Sequence, residues 1–191
     1  MKKIRLIGVY DYTVVLTYIS LVITLVGISL AIEGSFRSAV FCLALSGLCD
    51  MFDGKIARSK KNRTDREKMF GVQIDSLCDC VCFGVFPAMI CYLMGVRGAL
   101  GWFCIGYYTI CGVIRLLEIE RQQNEDGANH YYHGLPITTV AIVLPLIFVV
   151  QMVLNNTTFL VLLHVMLLTV GTLFVVDFKL RKPGNLVLTG I

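Results

Sequence analysis

"LCDMFDGKIARSKKNRTDREKMFGVQIDSLCDC" occupies residues 48–80. It carries five aspartates, one glutamate and seven basic residues inside a chain that is 57% hydrophobic. Asp50 and Asp53 stand on one side of its basic centre, Asp75 and Asp79 on the other. Read as helices, both sides form stripes. Asp50, Asp53, Gly54, Ala57 and Arg58 are spaced 0, 3, 4, 7 and 8 along the chain, which is one helix face. Gly71, Asp75 and Asp79 are spaced 0, 4 and 8, again one face. With residues 59–70 as the joining loop, the two helices are expected to run antiparallel and bring four carboxylates together.

The rest of the chain is membrane sequence. Its 191 residues are only 16% charged, against about 25% in soluble domains, and its mean hydropathy is +0.76. The runs 14–32, 135–153 and 158–176 each hold 19 residues without an aspartate, glutamate, lysine or arginine. About 20 residues cross the hydrocarbon core. Two more spans are expected over 75–94 and 98–117, and a sixth over 38–58, which carries its acids near an interface. The first run is long enough to span and shows no small-residue cleavage site, so it reads as an anchor rather than a leader. Six helices use up the chain. The expected fold is an all-α integral membrane protein with six transmembrane helices in one domain, residues 1–191.

Basic residues orient it. With six spans, 15 of the 17 lysines and arginines fall on the side of the termini, leaving Arg37 and Arg97 opposite. The positive-inside rule then puts both termini and the acidic cluster at the cytoplasmic face. The opening residues "MKKIRLIGVYDY" (1–12) mix basic and apolar side chains. They read as a short helix lying on the anionic leaflet or as a disordered basic tail. The eight cysteines form no CxxC pair and sit in apolar segments, as small buried hydrophobes do.

Four ionised carboxylates repel one another unless something cationic sits among them. One acidic side chain at membrane depth costs roughly 2.5–3.5 kcal/mol on the insertion scale. Mg²⁺ or Mn²⁺ answers this, because hard cations take oxygen ligands and bridge carboxylates to substrate phosphates. Gly54 and Ala57 leave room for a bulky group beside the helix. Arg58 is suited to fork onto a phosphate, and the Thr64 hydroxyl is a further candidate contact. A solvated network with Lys55 and Arg58 is the plainer alternative. It accounts for one Asp–Arg pair better than for four acids on two helices.

The segments "DMFDGKIAR" (50–58) and "GVQIDSLCD" (71–79) carry D-x-x-D-G-x-x-A-R and G-x-x-x-D-x-x-x-D. This pattern resembles the signature of the CDP-alcohol phosphotransferases, with every signature residue present. The spacer between the halves is longer than is usual there. Within the family the chain is most similar to the bacterial-type phosphatidylserine synthases. "DSLCDCVCFGVFPAMICY", "YYHGLPITT", "FVVDFKLRKP" and "DYTVVLTYISLVITLVG" extend the likeness over nearly the whole chain. One departure stands in "RLLEIER" (115–121): Arg115 is kept, but Glu118 replaces a usual second arginine, and Arg121 follows one turn on.

The resemblance implies a homodimer of six-helix subunits that converts CDP-diacylglycerol and L-serine into phosphatidylserine and CMP, with no nucleic-acid partner. By position, Asp50, Asp53, Asp75 and Asp79 would hold the Mg²⁺ or Mn²⁺, and Asp79 would also be the general base. Gly54, Ala57, Arg58, Thr64 and Gly71 would contact the CDP-lipid, and Arg115, Arg121 and His133 the acceptor. The loop bearing His130 and His133 reads equally as an ordinary connection. Two rivals remain: the same family with glycerol 3-phosphate, an inositol phosphate or another alcohol as acceptor, and an ion or metal transporter using intramembrane aspartates.

Overall fold

The computed structural model describes residues 12–59, 64–125, 131–177 and 179–181. A 3₁₀ turn (Tyr12–Val14) leads into α1 (Val15–Ile32), which pairs with α2 (Phe36–Ser59). Residues before Tyr12, where an interfacial helix is one expectation, lie outside the described part. The buried residues of α1 are Thr17, Ser20, Thr24, Gly27 and Ala31, a stripe of small and hydroxyl side chains recurring every three or four positions. Val15, Ile19, Val22 and Val26 point outward. Lipid is as apolar as these side chains, so close packing and hydrogen bonds, rather than apolar burial, select the inner face. Gly27 shows how close the packing is: a Cβ there would lie 2.8 Å from Cys42 Cβ and would run into the Phe86 ring. The hairpin closes on Gly34 at φ +81°. There the Gly34 and Ser35 N–H groups return to Ala31 and Leu30 carbonyls and satisfy the end of α1.

α3 (Asp65–Asp79), a π turn (Cys80–Val85) and α4 (Phe86–Leu93) follow without a break and form one rod. This rod starts ten residues before the expected 75. The reason is local: Thr64 and Glu67 make a capping box, each side chain bonding the other's backbone N–H. The connection from α2 is correspondingly shorter than the loop 59–70 read from the sequence.

α5 (Gly98–Glu125) runs past the expected 117. A 3₁₀ turn (Ile137–Thr139) and α6 (Val140–Val150) replace the single span expected over 135–153. Pro136 is extended at φ −62°, ψ 141°, and delays the helix. Residues 151–153 are already turn. α7 (Asn156–Val175) closes the bundle against α5. One feature outside the all-α expectation is a short antiparallel pair, β1 (Tyr131–His133) with β2 (Lys179–Arg181).

The described residues therefore make six helical rods. Four are long and apolar enough to cross a membrane: Val15–Ile32, Arg66–Leu93, Gly98–Arg121 and Asn156–Val175. The apolar stretch Ile137–Val150 is shorter, about 21 Å at 1.5 Å per residue. α2 is long, but its second half carries Asp50, Asp53 and Lys55. Phe83, Phe86, Ile90, Tyr108, Leu163 and Phe174 are almost fully enclosed between the rods. Phe41, Leu77, Phe103 and Ile142 cover the outside, an apolar surface suited to contact with hydrocarbon. The cysteines of the described residues are free thiols, and five of the eight are buried.

Candidate active site

The last turns of α2 and the body of α3 meet beside the start of α1. Asp50 comes from α2, and Asp75 and Asp79 come from successive turns of α3. Each is partly buried, and each presents a carboxylate oxygen within 4.8 Å of the other two. No ion pair to any of the three occurs among the described residues. Two like charges about 4 Å apart repel by ~1 kcal/mol in water and ~4 kcal/mol at the screening typical of a protein surface. Three such pairs are a substantial penalty, and a cation among the oxygens reverses its sign. The donor set is all oxygen and suits a hard divalent ion.

Asp53 takes a different position. It is 4% exposed, and its Oδ2 accepts a 2.9 Å hydrogen bond from Thr17 Oγ1 of α1, itself 5% exposed. The structure thus gathers three of the four motif aspartates and ties the fourth to a neighbouring helix. Below that bond the stripe on α1 continues as a hydroxyl cluster. Ser20 Oγ lies 2.6 Å from Ser46 Oγ, and Thr24 Oγ1 lies 3.2 Å from the same atom. Sequence reasoning missed Thr17. The available signal was its place in the Thr17, Ser20, Thr24 stripe of an otherwise apolar helix.

The remaining expected residues divide. Gly54 and Gly71 are partly buried on the acid-bearing helices. Ala57 and Arg58 lie in the last turns of α2, and their side chains are outside the described part, as is that of His133 on β1. Thr64 is exposed and serves as the N-cap of α3, with its hydroxyl 3.0 Å from Glu67 Oε2.

Arg115 is 3% exposed. It donates from Nε to the Leu135 carbonyl at 3.0 Å and from Nη2 to the Gly134 carbonyl at 3.3 Å. Arg121 is exposed and forks onto Glu118, at 3.1 Å from Nε and 2.9 Å from Nη2. Glu118 is therefore paired locally with the next arginine.

A cavity of about 250 Å³ opens beside Asp50, between α2 and the segment holding Pro136, Thr138 and Thr139. A larger one, about 850 Å³, lies at the other end of α2, beside Arg37 and the end of α6. None of the acids lines it, whereas Asp50 lines the smaller one.

The family model for CDP-alcohol phosphatidyltransferase matches residues 12–176. A CDP-diacylglycerol–serine O-phosphatidyltransferase of Mycobacterium tuberculosis is 32% identical over 133 residues, 66% of this chain and 45% of the relative. The Saccharomyces cerevisiae protein of the same name is 32% identical over 115 residues, covering 56% and 40%. An archaetidylserine synthase of Methanothermobacter thermautotrophicus is 35% identical over 116 residues, covering 60% and 48%. The matches span about half the length of these curated relatives.

Proposed function

The chain belongs to the CDP-alcohol phosphatidyltransferase family, and on that premise we propose that it transfers the phosphatidyl group of CDP-diacylglycerol to the hydroxyl of L-serine, giving phosphatidylserine and CMP. The observation that carries this reading is the convergence of Asp50 with Asp75 and Asp79, one acid from the first half of the motif and two from the second. The names of the relatives favour serine as acceptor. The pairing of Arg121 with Glu118 agrees, since a phosphorylated acceptor would call for cationic side chains not already engaged by an acid.

Asp50, Asp75 and Asp79 would hold one or two divalent ions, Mg²⁺ or Mn²⁺, with Asp53 as the fourth acid of the set. When bound, such ions offset the charge of the diphosphate and of the departing CMP. Asp79 accepts the proton of the serine hydroxyl as its oxygen attacks the phosphorus bearing diacylglycerol. The bond from that phosphorus to the CMP oxygen breaks in line, and CMP leaves with the electron pair. Gly54, Ala57, Arg58, Thr64 and Gly71 contact the CDP-lipid, Thr64 through the end of α3 that it caps. Arg115 shapes the acceptor side by holding the Gly134–Leu135 backbone, and His133 and Arg121 lie at its rim.

The reaction needs a site where lipid tails reach hydrocarbon while CMP and serine reach water. All six rods crossing the membrane, with both termini and the acids at the cytoplasmic face of the cell membrane, meets that need. The enzyme acts as a homodimer, each subunit a single domain over residues 1–191. Membership of this family leaves the transporter reading without support.

The test is an acceptor panel. Purified protein receives Mn²⁺, CDP-diacylglycerol and labelled serine, glycerol 3-phosphate or an inositol phosphate. Labelled phosphatidylserine with equimolar CMP is expected. Turnover with glycerol 3-phosphate and none with serine would replace serine as the acceptor.

A further inference from the structure

The π turn Cys80–Val85 begins at the residue after Asp79. Its cause is visible two turns on. Pro87 has no N–H, and its ring crowds the carbonyl four residues back, that of Phe83. A regular α-helix through this point would leave the Phe83 carbonyl without a partner, inside a bundle where Phe83 is fully buried. In membrane helices such freed groups are satisfied by neighbouring helices. The neighbour here is α5: the hydroxyl of Tyr108, also fully buried, donates to the Phe83 carbonyl. The widened turn is completed by the Phe86 N–H reaching the Val81 carbonyl, five residues back. Tyr108 is in turn wedged against the Phe174 ring at 5.6 Å between centroids. A π turn changes the bearing of everything before it relative to everything after it, and such turns concentrate at functional sites.

We propose that Tyr108 is a positioning residue for the acid cluster: its hydroxyl holds the Phe83 carbonyl in the π turn imposed by Pro87, and this turn sets the bearing of Asp75 and Asp79 toward Asp50. The inference rests on the phosphatidyl-transfer reading for its kinetic consequence. Its geometric consequence, the affinity of the acid cluster for a divalent ion, does not depend on which substrate is used.

The experiment compares Tyr108→Phe, Pro87→Ala and Tyr107→Phe with the unmodified full-length protein in detergent. Tyr108→Phe keeps the ring and removes only the hydroxyl. Pro87→Ala returns an N–H that can pair with Phe83 and lets the turn relax to α. It is therefore a folded second probe, should Tyr108→Phe prove unstable. Tyr107→Phe is the control, because the Tyr107 hydroxyl bonds Thr172 Oγ1 at 3.1 Å, on the same helix but away from the turn. Three quantities are read: Mn²⁺ binding by electron paramagnetic resonance, kcat for CMP release, and KM for CDP-diacylglycerol.

Displacing a catalytic group by about 1 Å costs on the order of 10²-fold. The first two variants should therefore lose roughly 10- to 100-fold in kcat and bind Mn²⁺ more weakly, with little change in KM, while the control does neither. Unchanged kcat and Mn²⁺ affinity in Tyr108→Phe and Pro87→Ala, even with lower thermal stability, would overturn the proposal. So would an equal loss in Tyr107→Phe. If the unmodified protein releases no CMP from CDP-diacylglycerol, the phosphatidyl-transfer reading fails. The Mn²⁺ measurement then still decides the role of Tyr108.

Discussion

The two sides of the candidate site are built by different means. On the acid side, α2 and α3 present Asp50, Asp75 and Asp79 directly from helix faces, at helical spacing. On the proposed acceptor side, α5 meets the segment after β1, and the main described contacts run from the Arg115 guanidinium to the Gly134 and Leu135 carbonyls. Helix faces hold groups rigidly at the cost of a fixed spacing. A backbone segment pinned by one buried arginine can change its neighbours without disturbing the bundle. On the proposed reaction, leaving-group chemistry is expected on the helices and the choice of alcohol beside the pinned segment.

Five substitutions test that contrast. The largest effect is expected on the acid side. Asp50→Asn or Asp75→Asn should reduce Mn²⁺ affinity by more than the roughly 10- to 100-fold typical of residues that only support a metal ligand, as read by Mn²⁺ titration of CMP release. An unchanged Mn²⁺ requirement would mean the cluster is structural. On the acceptor side, Arg115→Lys keeps the charge but cannot reproduce the fork to two carbonyls. Hydrogen bonds to charged groups contribute about 1.5–3 kcal/mol, so this variant should melt at lower temperature and show a raised KM for serine with the KM for CDP-diacylglycerol preserved. Equal rises in both would dissolve the division between the two sides.

Thr17→Val removes the one described side-chain donor to Asp53 without changing volume much. Membrane hydrogen bonds measured by double-mutant cycles average about 0.6 kcal/mol and reach about 1.7. A small fall in thermal stability and a partial loss of kcat should follow. A loss as deep as that of Asp75→Asn would make Thr17 part of the catalytic set. The smallest effect is expected for Arg121→Gln, since an exposed ion pair contributes about 0–1 kcal/mol. Its serine KM should scarcely move, and a large rise would return Arg121 to the acceptor pocket.

The same contrast separates what could be read in the sequence from what could not. α1 and α7 stand where uninterrupted apolar runs place them, and the Asp50 and Asp75–Asp79 faces follow from offsets of three and four. These are local properties of one helix. The early start of α3 was also local, written as Thr64-x-x-Glu67, but it was overshadowed by the dense charge around it. Pro136 and the turn at 151–153 cut the expected fifth span to a short helix, because apolar composition alone cannot distinguish a helix from extended backbone before a proline. The remaining features are long-range. Thr17 finds Asp53 across 36 residues, Tyr108 finds Phe83 across 25, and β1 (Tyr131–His133) finds β2 (Lys179–Arg181). No periodicity within one segment encodes such partners. They emerge only when close packing brings particular helices together.

On the proposed mechanism the acid cluster performs the transfer chemistry with Asp79 as the base. The most direct measurement is CMP release in a single turnover by Asp79→Asn, set beside its equilibrium binding of CDP-diacylglycerol. A positioned general base contributes about 10²- to 10⁴-fold. CMP release should therefore fall by at least about 10²-fold while CDP-lipid binding is largely retained. An equal loss of release and binding would contradict the account, making Asp79 a ligand that holds the substrate rather than the group that takes the proton.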